Sequence, residues 1–205
     1  MKKSQNQLVI DSATSYLFLA LYRDNEAIEV HYHKGENDHS VTLMDELSNL
    51  LERHELTPND LDRIIVGIGP GSYTGLRIGV VVAKMLGWSL NIPVYTISSL
   101  ALLASSVEKE GLILPWIDAR RGYAFLGLYE LNNGIIKQVI PDEYTHLKAY
   151  ETQMNSNVTL VAQGQPNMVK LLQTDLLVKV KDIHLLAPVY LRETEAERNL
   201  NKGYE

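Results

Sequence analysis

The chain has 205 residues, a formal net charge of −6 and no cysteine. A chain of this length can bury a sizeable core, either as one domain or as two small lobes. The absence of cysteine excludes disulfides, a thiol nucleophile and thiolate metal sites, and the acidic balance argues against a protein that grips nucleic acid by itself. No run approaches the roughly 18 apolar residues of a membrane-spanning helix, so no membrane contact and a cytoplasmic location are expected.

The first half of the chain alternates in a way that predicts a three-stranded meander followed by strand–helix units. Strands are predicted at residues 8–10, 16–22, 27–32, 63–68 and 94–97, and helices at 40–54, 74–88 and 99–107, with a short capped helix near 57–60. Because the links between the first three strands are short and polar, those strands should pair antiparallel.

The stretch VGIGPGSYTGLRIGVVVAKMLGW, residues 66–88, joins a strand, a glycine-rich turn and a helix without a break. Ser72 and Thr74 offer hydroxyls that can cap the helix. Arg77 and Lys84 are its only charges, so one side should meet the sheet and another should meet a further element. Small residues recur every four positions at Gly75, Gly79, Ala83 and Gly87. Such a row predicts close approach by another backbone, since glycine inside a helix is otherwise unfavourable.

The pattern restarts in the second half, with strands predicted at 112–117, 123–129, 135–140 and 158–162 and a helix at 166–173. Asp11 and Asp118 fall in the same turn of the two halves. A meander followed by parallel crossovers is the half-unit of the actin-like kinase and ATPase fold, also called ASKHA or ribonuclease H-like. The sequence therefore predicts an α/β protein of two lobes with mixed sheets, residues 1–105 and a reduced 106–205.

Phosphotransfer is the main catalytic alternative, because the turns that carry Asp11 and Asp118 grip phosphate or metal in actin-like kinases. A turn aspartate that bonds its own backbone is the structural explanation. VAQGQP at 161–166 has only Gly164 where a nucleotide site of this fold shows paired glycines. The turn from Gly69 to Gly75 also lacks the G-K-[ST] ending of a phosphate-binding loop.

Other polar groups give weaker signals. His31 and His33 share a strand face, but no third zinc ligand is evident, and Ser72 lies outside a G-x-S-x-G motif. No metal or cofactor is therefore expected. The DARRG turn, with Asp118, Arg120 and Arg121, is either a solvated ion-pair turn or a contact to a partner's carboxylates or an RNA phosphate.

Two neighbouring helices, 40–54 and 74–88, carry apolar ridges that could dock on an equivalent pair from another subunit. The predicted interface comprises Leu43, Leu47, Leu50, Gly75, Leu76, Gly79, Val80, Ala83 and Gly87, with Met85 beside them. The alternative is that the protein's own second lobe covers both helices. A self-sufficient homodimer with a regulatory role is a further possibility.

GPGSYTGLRIG is very similar to the signature of the TsaB (YeaZ) family. IDSATS, the helix start at His39 and Ser40, DARRG at 118–122 and PVYLRE near the end follow in the family's order. The resemblance implies a non-catalytic partner of TsaD in the synthesis of N6-threonylcarbamoyladenosine on tRNA. It further implies that the helix pair binds TsaD, that the chain self-associates when alone, that the ATPase TsaE joins, and that tRNA is reached only through the complex. TsaD uses an H-x-x-x-H metal pair, whereas no two histidines here are four apart.

Overall fold

The computed structural model describes residues 4–35, 39–146 and 157–192. The predicted final helix or frayed tail after Arg192 lies outside them. None of the helices in these ranges is long and apolar enough to cross a membrane.

The first sheet has six strands in the order β10-β5-β4-β1-β2-β3. These are β1 (Asn6–Asp11), β2 (Tyr16–Arg23), β3 (Glu26–Lys34), β4 (Arg63–Gly67), β5 (Val94–Ile97) and the short β10 (Val178–Lys179). β1, β2 and β3 form the predicted antiparallel meander, whereas β4 and β5 extend the sheet in parallel from β1. The register places Leu8 opposite Leu21 on one side and opposite Ile64 on the other.

The second sheet has four strands in the order β8-β7-β6-β9. They are β6 (Gly111–Asp118), β7 (Tyr123–Asn132), β8 (Ile135–His146) and β9 (Val158–Val161). β6, β7 and β8 again make an antiparallel meander, and β9 again runs parallel to its first strand. The two sheets therefore repeat one topology, with no counterpart of β5 in the described part of the second. This confirms the actin-like fold with a reduced second half.

The helices are α1 (His39–Arg53), α2 (Tyr73–Ser89) and α3 (Ser99–Ala104), with 3-10 turns at Pro58–Asp60, Met168–Lys170 and Ile183–Leu185. The capped turn at Pro58–Asp60 is confirmed, since the Asp60 carboxylate accepts from the Thr57 N–H at 2.7 Å. α3 is shorter than predicted because Ser105 Oγ donates to the Leu102 carbonyl at its end.

The predicted helix at 166–173 is wrong, because only the 3-10 turn Met168–Lys170 forms there. The Asn167 side chain caps this turn by accepting from the Val169 N–H. Lys170 Nζ then donates to the carbonyls of Ser105 and Val107 at 3.1 and 2.7 Å. The segment is thus held by the end of α3 rather than by helical periodicity.

Two main cores lie on the two faces of the first sheet. On one face, α3 and the second sheet bury a cluster that includes Phe18, Tyr22, Leu100 and Tyr129. On the other face, α1 and α2 cover residues of β1, β2 and β4. The helix pair therefore forms the outermost layer on its side of the molecule.

The chain returns to the first sheet near its end. β10 pairs antiparallel with β5, and residues 183–189 pack along α2. The predicted division assigned all of residues 106–205 to the second lobe, so these residues differ from that assignment. Their backbone contacts, which join segments far apart in sequence, fix this position.

Candidate functional site

The turn before α2 is wedged against the turn that follows β1. Ser72 caps α2 by accepting from the Gly75 N–H at 3.2 Å. The buried Ser12 hydroxyl donates to the Gly75 carbonyl at 2.7 Å and accepts from the Gly79 N–H at 3.1 Å. A Cβ atom at Gly75 would overlap the Ser12 carbonyl oxygen. The first turn of α2 therefore requires glycine because another backbone occupies the space of a side chain.

The predicted interface row Gly75, Gly79, Ala83 and Gly87, here called the inner row, faces the protein's own sheet. A Cβ atom at Gly79 would stand 2.6 Å from Ser12 Oγ, and one at Gly87 would overlap Val94. Ala83 is fully buried in the same core. The row permits close approach by the Ser12 backbone at Gly75 and by side chains at Gly79 and Gly87, and all of these groups belong to the same chain. The described structure therefore covers this row from within the chain, on the side opposite to the exposed face of α2.

The remaining predicted interface residues are also buried in the described structure. Leu43, Leu47, Leu50, Leu76 and Val80 are almost inaccessible to solvent. The α1 leucines and Val80 pack on the first sheet, because they form the apolar face of an amphipathic pair. These side chains hold the helices on the sheet and cannot reach a partner from there.

The opposite side of α2 carries large exposed side chains. Tyr73, Arg77, Val81, Met85 and Trp88, here called the outer stripe, recur at helical spacing on one side. Val81, Met85 and Trp88 are 54%, 52% and 65% exposed. Exposed apolar groups in a row mark an interaction surface more often than isolated ones do. Met44 of α1 is also exposed.

Sequence reasoning identified the helix but placed the predicted interface on the side that faces the sheet in the described structure. The usable signal was side-chain size: glycines on one side need a close neighbour, whereas large apolar residues on the other need a cover. Among the outer-stripe residues only Met85 was named beside the predicted interface.

A strap formed by residues 186–192, which contains most of the PVYLRE motif, crosses the start of α2. The Val189 N–H donates to the Ile68 carbonyl at 2.8 Å. Arg77 Nε donates to the Tyr190 hydroxyl at 3.0 Å, and the Tyr73 and Tyr190 rings lie 4.7 Å apart. The strap therefore borders the outer stripe and orders its N-terminal end. The sequence pointed to the motif without indicating this role.

Asp11 is buried between the first sheet and the start of α3. Its carboxylate accepts hydrogen bonds from the Ser99 hydroxyl at 3.0 Å and the Ala13 N–H at 3.1 Å. Burial raises the pKa of Asp11 to about 6, against smaller opposing effects of these hydrogen bonds. Gly67 lies directly against the carboxylate. In this arrangement Asp11 Oδ1 accepts hydrogen bonds from protein groups, and the side chain is almost inaccessible to solvent.

The start of α3 links carboxylates from both sheets through two consecutive serines. Ser98 Oγ bonds to Asp142 of β8, whose other oxygen accepts from the Tyr129 hydroxyl at 2.6 Å. Ser99 bonds to Asp11 on the first sheet. Burial raises the pKa of Asp142, as it does that of Asp11. Both carboxylates therefore serve as hydrogen-bond acceptors that connect the two halves.

Asp118 lies at the equivalent turn of the second sheet, but there it is exposed. Its Oδ1 accepts from the Arg120 N–H at 2.8 Å. Arg120, Arg121 and Gly122 follow in the left-handed region, with φ of +67°, +58° and +80°. The structure thus brings Asp118, Arg120 and Arg121 together on one exposed turn but does not join them to Asp11.

The two strand histidines do not form a shared site. His31 contacts Glu29 at 2.6 Å and Glu46 at 3.3 Å. Arg53 and His54 of the α1 end also contact Glu29, and Arg53 is the main reason that the pKa of Glu29 is lowered to about 2. Within the described ranges no group of three His, Cys, Asp or Glu side chains could hold a metal ion.

Comparison with known proteins gives a consistent set of similarities. The chain is 35% identical to the tRNA threonylcarbamoyladenosine biosynthesis protein TsaB of Bacillus subtilis, covering 93% of this chain and 95% of that protein. It is 30% identical to TsaB of Escherichia coli over 62% of this chain and 57% of that protein. The family model for TsaD, tRNA N6-adenosine threonylcarbamoyltransferase, matches residues 30–158.

A solved structure shares the fold at low sequence identity. YeaZ from Pseudomonas aeruginosa superposes with a TM-score of 0.76 at 24% identity, covering 91% of this chain and 100% of that chain. This supports the two-sheet architecture.

Proposed function

This chain belongs to the TsaB family of tRNA threonylcarbamoyladenosine biosynthesis proteins, and from that premise we propose that it is a non-catalytic scaffold subunit. In this role it binds and activates a TsaD-like catalytic relative, which performs the threonylcarbamoyl transfer. The family assignment supports the pathway, and the outer stripe of α2 supports the mode of action.

The observation that carries the proposal is the exposed apolar side of α2. Val81, Met85 and Trp88 lie in a row on a helix whose other side is fully packed. Covering such a row removes apolar surface from water, which stabilises a complex by roughly 25 cal/mol per Å² of apolar area buried. A rigid helix on a sheet is also preorganised, so little conformational entropy is lost on binding. The outer stripe therefore suits a permanent protein partner.

A TsaD-like partner fits because this chain itself matches the TsaD family model over residues 30–158, which include both helices. Two related chains can present equivalent helices to one another around an approximate two-fold axis. By the same reasoning, a second copy of this chain covers the outer stripe when the catalytic relative is absent. A TsaE-like ATPase then joins the assembled pair.

The absence of catalysis in this subunit is proposed from the state of Asp11. Its carboxylate is buried and bonded to Ser99 and Ala13, whereas a phosphate-binding aspartate must reach a metal or nucleotide. Asp118, in the second half, uses one carboxylate oxygen to accept a hydrogen bond from the Arg120 N–H of its own turn. These contacts favour a structural role over the alternative of a kinase or ATPase that uses Asp11 and Asp118.

The test mixes this chain with the TsaD homologue of the same genome and measures assembly by size-exclusion chromatography with light scattering. Val81→Glu with Met85→Glu should weaken assembly by at least about a hundredfold, because two carboxylates would be desolvated in an apolar contact. Val169→Glu is the matched control, since Val169 is 55% exposed at a distant 3-10 turn. The control should assemble normally.

Two results would contradict the proposal. Normal assembly of the double variant would remove the outer stripe from the interface. ATP hydrolysis by the purified chain alone, lost in Asp11→Ala and in Asp118→Ala, would favour the enzymatic alternative.

A further inference from the structure

Arginines converge at one end of the second sheet although the chain as a whole is acidic. Arg120 and Arg121 lie on the turn between β6 and β7. Arg192, at the end of the strap, donates from Nη1 to the Ala119 carbonyl of the same turn at 3.0 Å. A local cluster of positive charge is therefore fixed on one turn by a long-range contact.

The conformation of this turn is unusual for arginine. Arg120 and Arg121 both have φ in the left-handed region that favours glycine and asparagine. Both side chains are exposed, and in the described part of the chain the Arg120 guanidinium forms no ion pair or hydrogen bond. Since glycine or asparagine would adopt this backbone with less strain, the arginines point to a requirement for their side chains.

Aromatic rings adjoin the arginines. Tyr123, the first residue of β7, stacks on Tyr144 of β8 with ring centroids 4.9 Å apart and planes 12° from parallel. Arg192 lies over the Tyr144 ring at 5.5 Å, and the His146 ring meets Tyr123 edge-on at 4.9 Å. Tyr123 remains 37% exposed, so part of a ring held by stacking faces solvent beside the arginines.

We propose that this arginine–tyrosine surface, formed by Arg120, Arg121, Tyr123, Tyr144 and Arg192, contacts single-stranded RNA of the tRNA substrate in the assembled complex. The inference rests on the proposed function, because the catalytic partner brings the tRNA. Guanidinium groups bind phosphate through paired hydrogen bonds, and an exposed tyrosine ring offers a stacking platform to an unpaired base.

RNA fits this surface better than an acidic protein segment does. The carboxylates of an acidic segment would pair with the arginines but would not stack on the Tyr123 ring. A nucleotide can do both, because its phosphate binds guanidinium groups and its base stacks on an aromatic ring. Asp118 offsets only one of the three arginine charges of this surface, and one of its oxygens accepts from the Arg120 N–H within the turn. The net charge of −6 means that the isolated chain should bind RNA poorly. The surface is therefore expected to add to a grip supplied mainly by the partner.

The test uses the assembled complex with an unmodified tRNA transcript and with its isolated anticodon stem-loop. Affinity is measured by fluorescence anisotropy over a series of salt concentrations. Arg120→Gln with Arg121→Gln should weaken tRNA binding about tenfold and lower the salt slope by about 0.7 to 0.9 per lost phosphate contact. Tyr123→Ala should weaken binding about tenfold with the salt slope unchanged, whereas Tyr123→Phe should bind normally.

Lys137→Gln is the matched control, because Lys137 is an exposed cation on β8 opposite Glu130, away from the turn. It should change neither affinity nor slope. Thermal unfolding of each variant verifies folding, and light scattering before RNA is added verifies assembly.

The outcomes separate the two proposals. Wild-type RNA affinity in the assembled arginine variant would overturn the RNA contact and leave the scaffold function intact. Loss of assembly in that variant would assign the turn to a protein contact, which also overturns it. Failure of the wild-type chain to assemble would overturn the scaffold function and this inference with it.

Discussion

The two sides of α2 differ, because one packs on the protein's own sheet and the other, proposed here as the binding surface, exposes apolar side chains to solvent. The inner row admits the backbone of Ser12 so closely that no side chain fits at Gly75. The outer stripe leaves Val81 and Met85 in water. Substitutions on the inner side should therefore act on stability, and substitutions on the outer side should act on association.

A row of small residues in a helix does not by itself identify an interface with another molecule. A glycine row reports that something approaches closely, but it does not report which molecule approaches. In this chain the approaching element is the turn after β1, which is more than sixty residues earlier in sequence. Exposed large side chains, rather than missing ones, mark the surface that is available to a partner.

The largest expected effect is on the inner row. Gly75→Ala should lower the free energy of unfolding by about 3 kcal/mol, because the new Cβ would overlap the Ser12 carbonyl oxygen and force the backbones apart. Urea denaturation of the isolated chain measures the change. A loss below about 0.5 kcal/mol would mean that the contact relaxes freely and that the inner row is less tightly fixed than the structure indicates.

The next effect concerns Asp11, the last residue of β1, which directly precedes the turn that packs against the inner row. Its folded pKa of about 6 is above the unfolded value of 3.8. Between these two pH values the folded protein keeps a proton that the unfolded chain has lost, so the Asp11 contribution to stability is greatest below about pH 4 and is lost as pH rises to about 6. Over this pH range, ionisation of Asp11 should lower the free energy of unfolding by about 3 kcal/mol.

Asp11→Asn should remove this pH dependence, because asparagine retains an acceptor oxygen for Ser99 and Ala13 without a charge. The measurement is the stability difference between the variant and the wild type at several pH values from 4 to 7. Taking the difference cancels the titration of other groups, including Glu29, whose lowered pKa has the opposite effect as pH falls. A constant difference would show that Asp11 does not titrate in this range.

Much of the fold could be predicted because its signals are local. Glycine and polar turns bound the strands of both meanders, and apolar periodicity locates α1 and α2. The antiparallel meander followed from the short polar links between strands, and the restart of the pattern indicated a second meander. The failures are at 166–173 and at the end of α3, where Lys170 donates to the Ser105 carbonyl and Ser105 Oγ accepts from the Asn167 N–H, because no local pattern encodes such long-range hydrogen bonds.

The candidate site could be predicted only in part, for a related physical reason. Sequence located the helix pair and the DARRG turn, but the face of α2 depends on where the turn after β1 lies in space. The strap depends on the Val189 contact to Ile68, which joins residues far apart in the chain. Long-range contacts of this kind decide which of two plausible faces is buried.

A smaller effect is expected from removal of the Ser12 hydroxyl, which packs against the inner row. Ser12→Ala should lower stability by about 1.5 kcal/mol, because it removes a buried group that bonds to both Gly75 and Gly79. Ser89→Ala, at the exposed end of the same helix, is the control and should change stability by less than about 0.5 kcal/mol. Equal effects of the two substitutions would contradict a special role for Ser12.

The smallest effect comes from comparing adjacent residues of α2 with one substitution. Val80 is 3% exposed in the core between the first sheet and the helix pair, and Val81 is 54% exposed on the outer stripe. Val80→Thr should cost about 1 kcal/mol, because it buries a hydroxyl among apolar side chains. Val81→Thr should change the stability of the isolated chain by less than about 0.5 kcal/mol, since its side chain already faces water.

Urea denaturation of both variants measures this difference, and equal losses would mean that a second copy of the chain already covers Val81. In that case the loss at Val81 would shrink as the protein is diluted, because dissociation exposes the residue, whereas the loss at Val80 would stay constant.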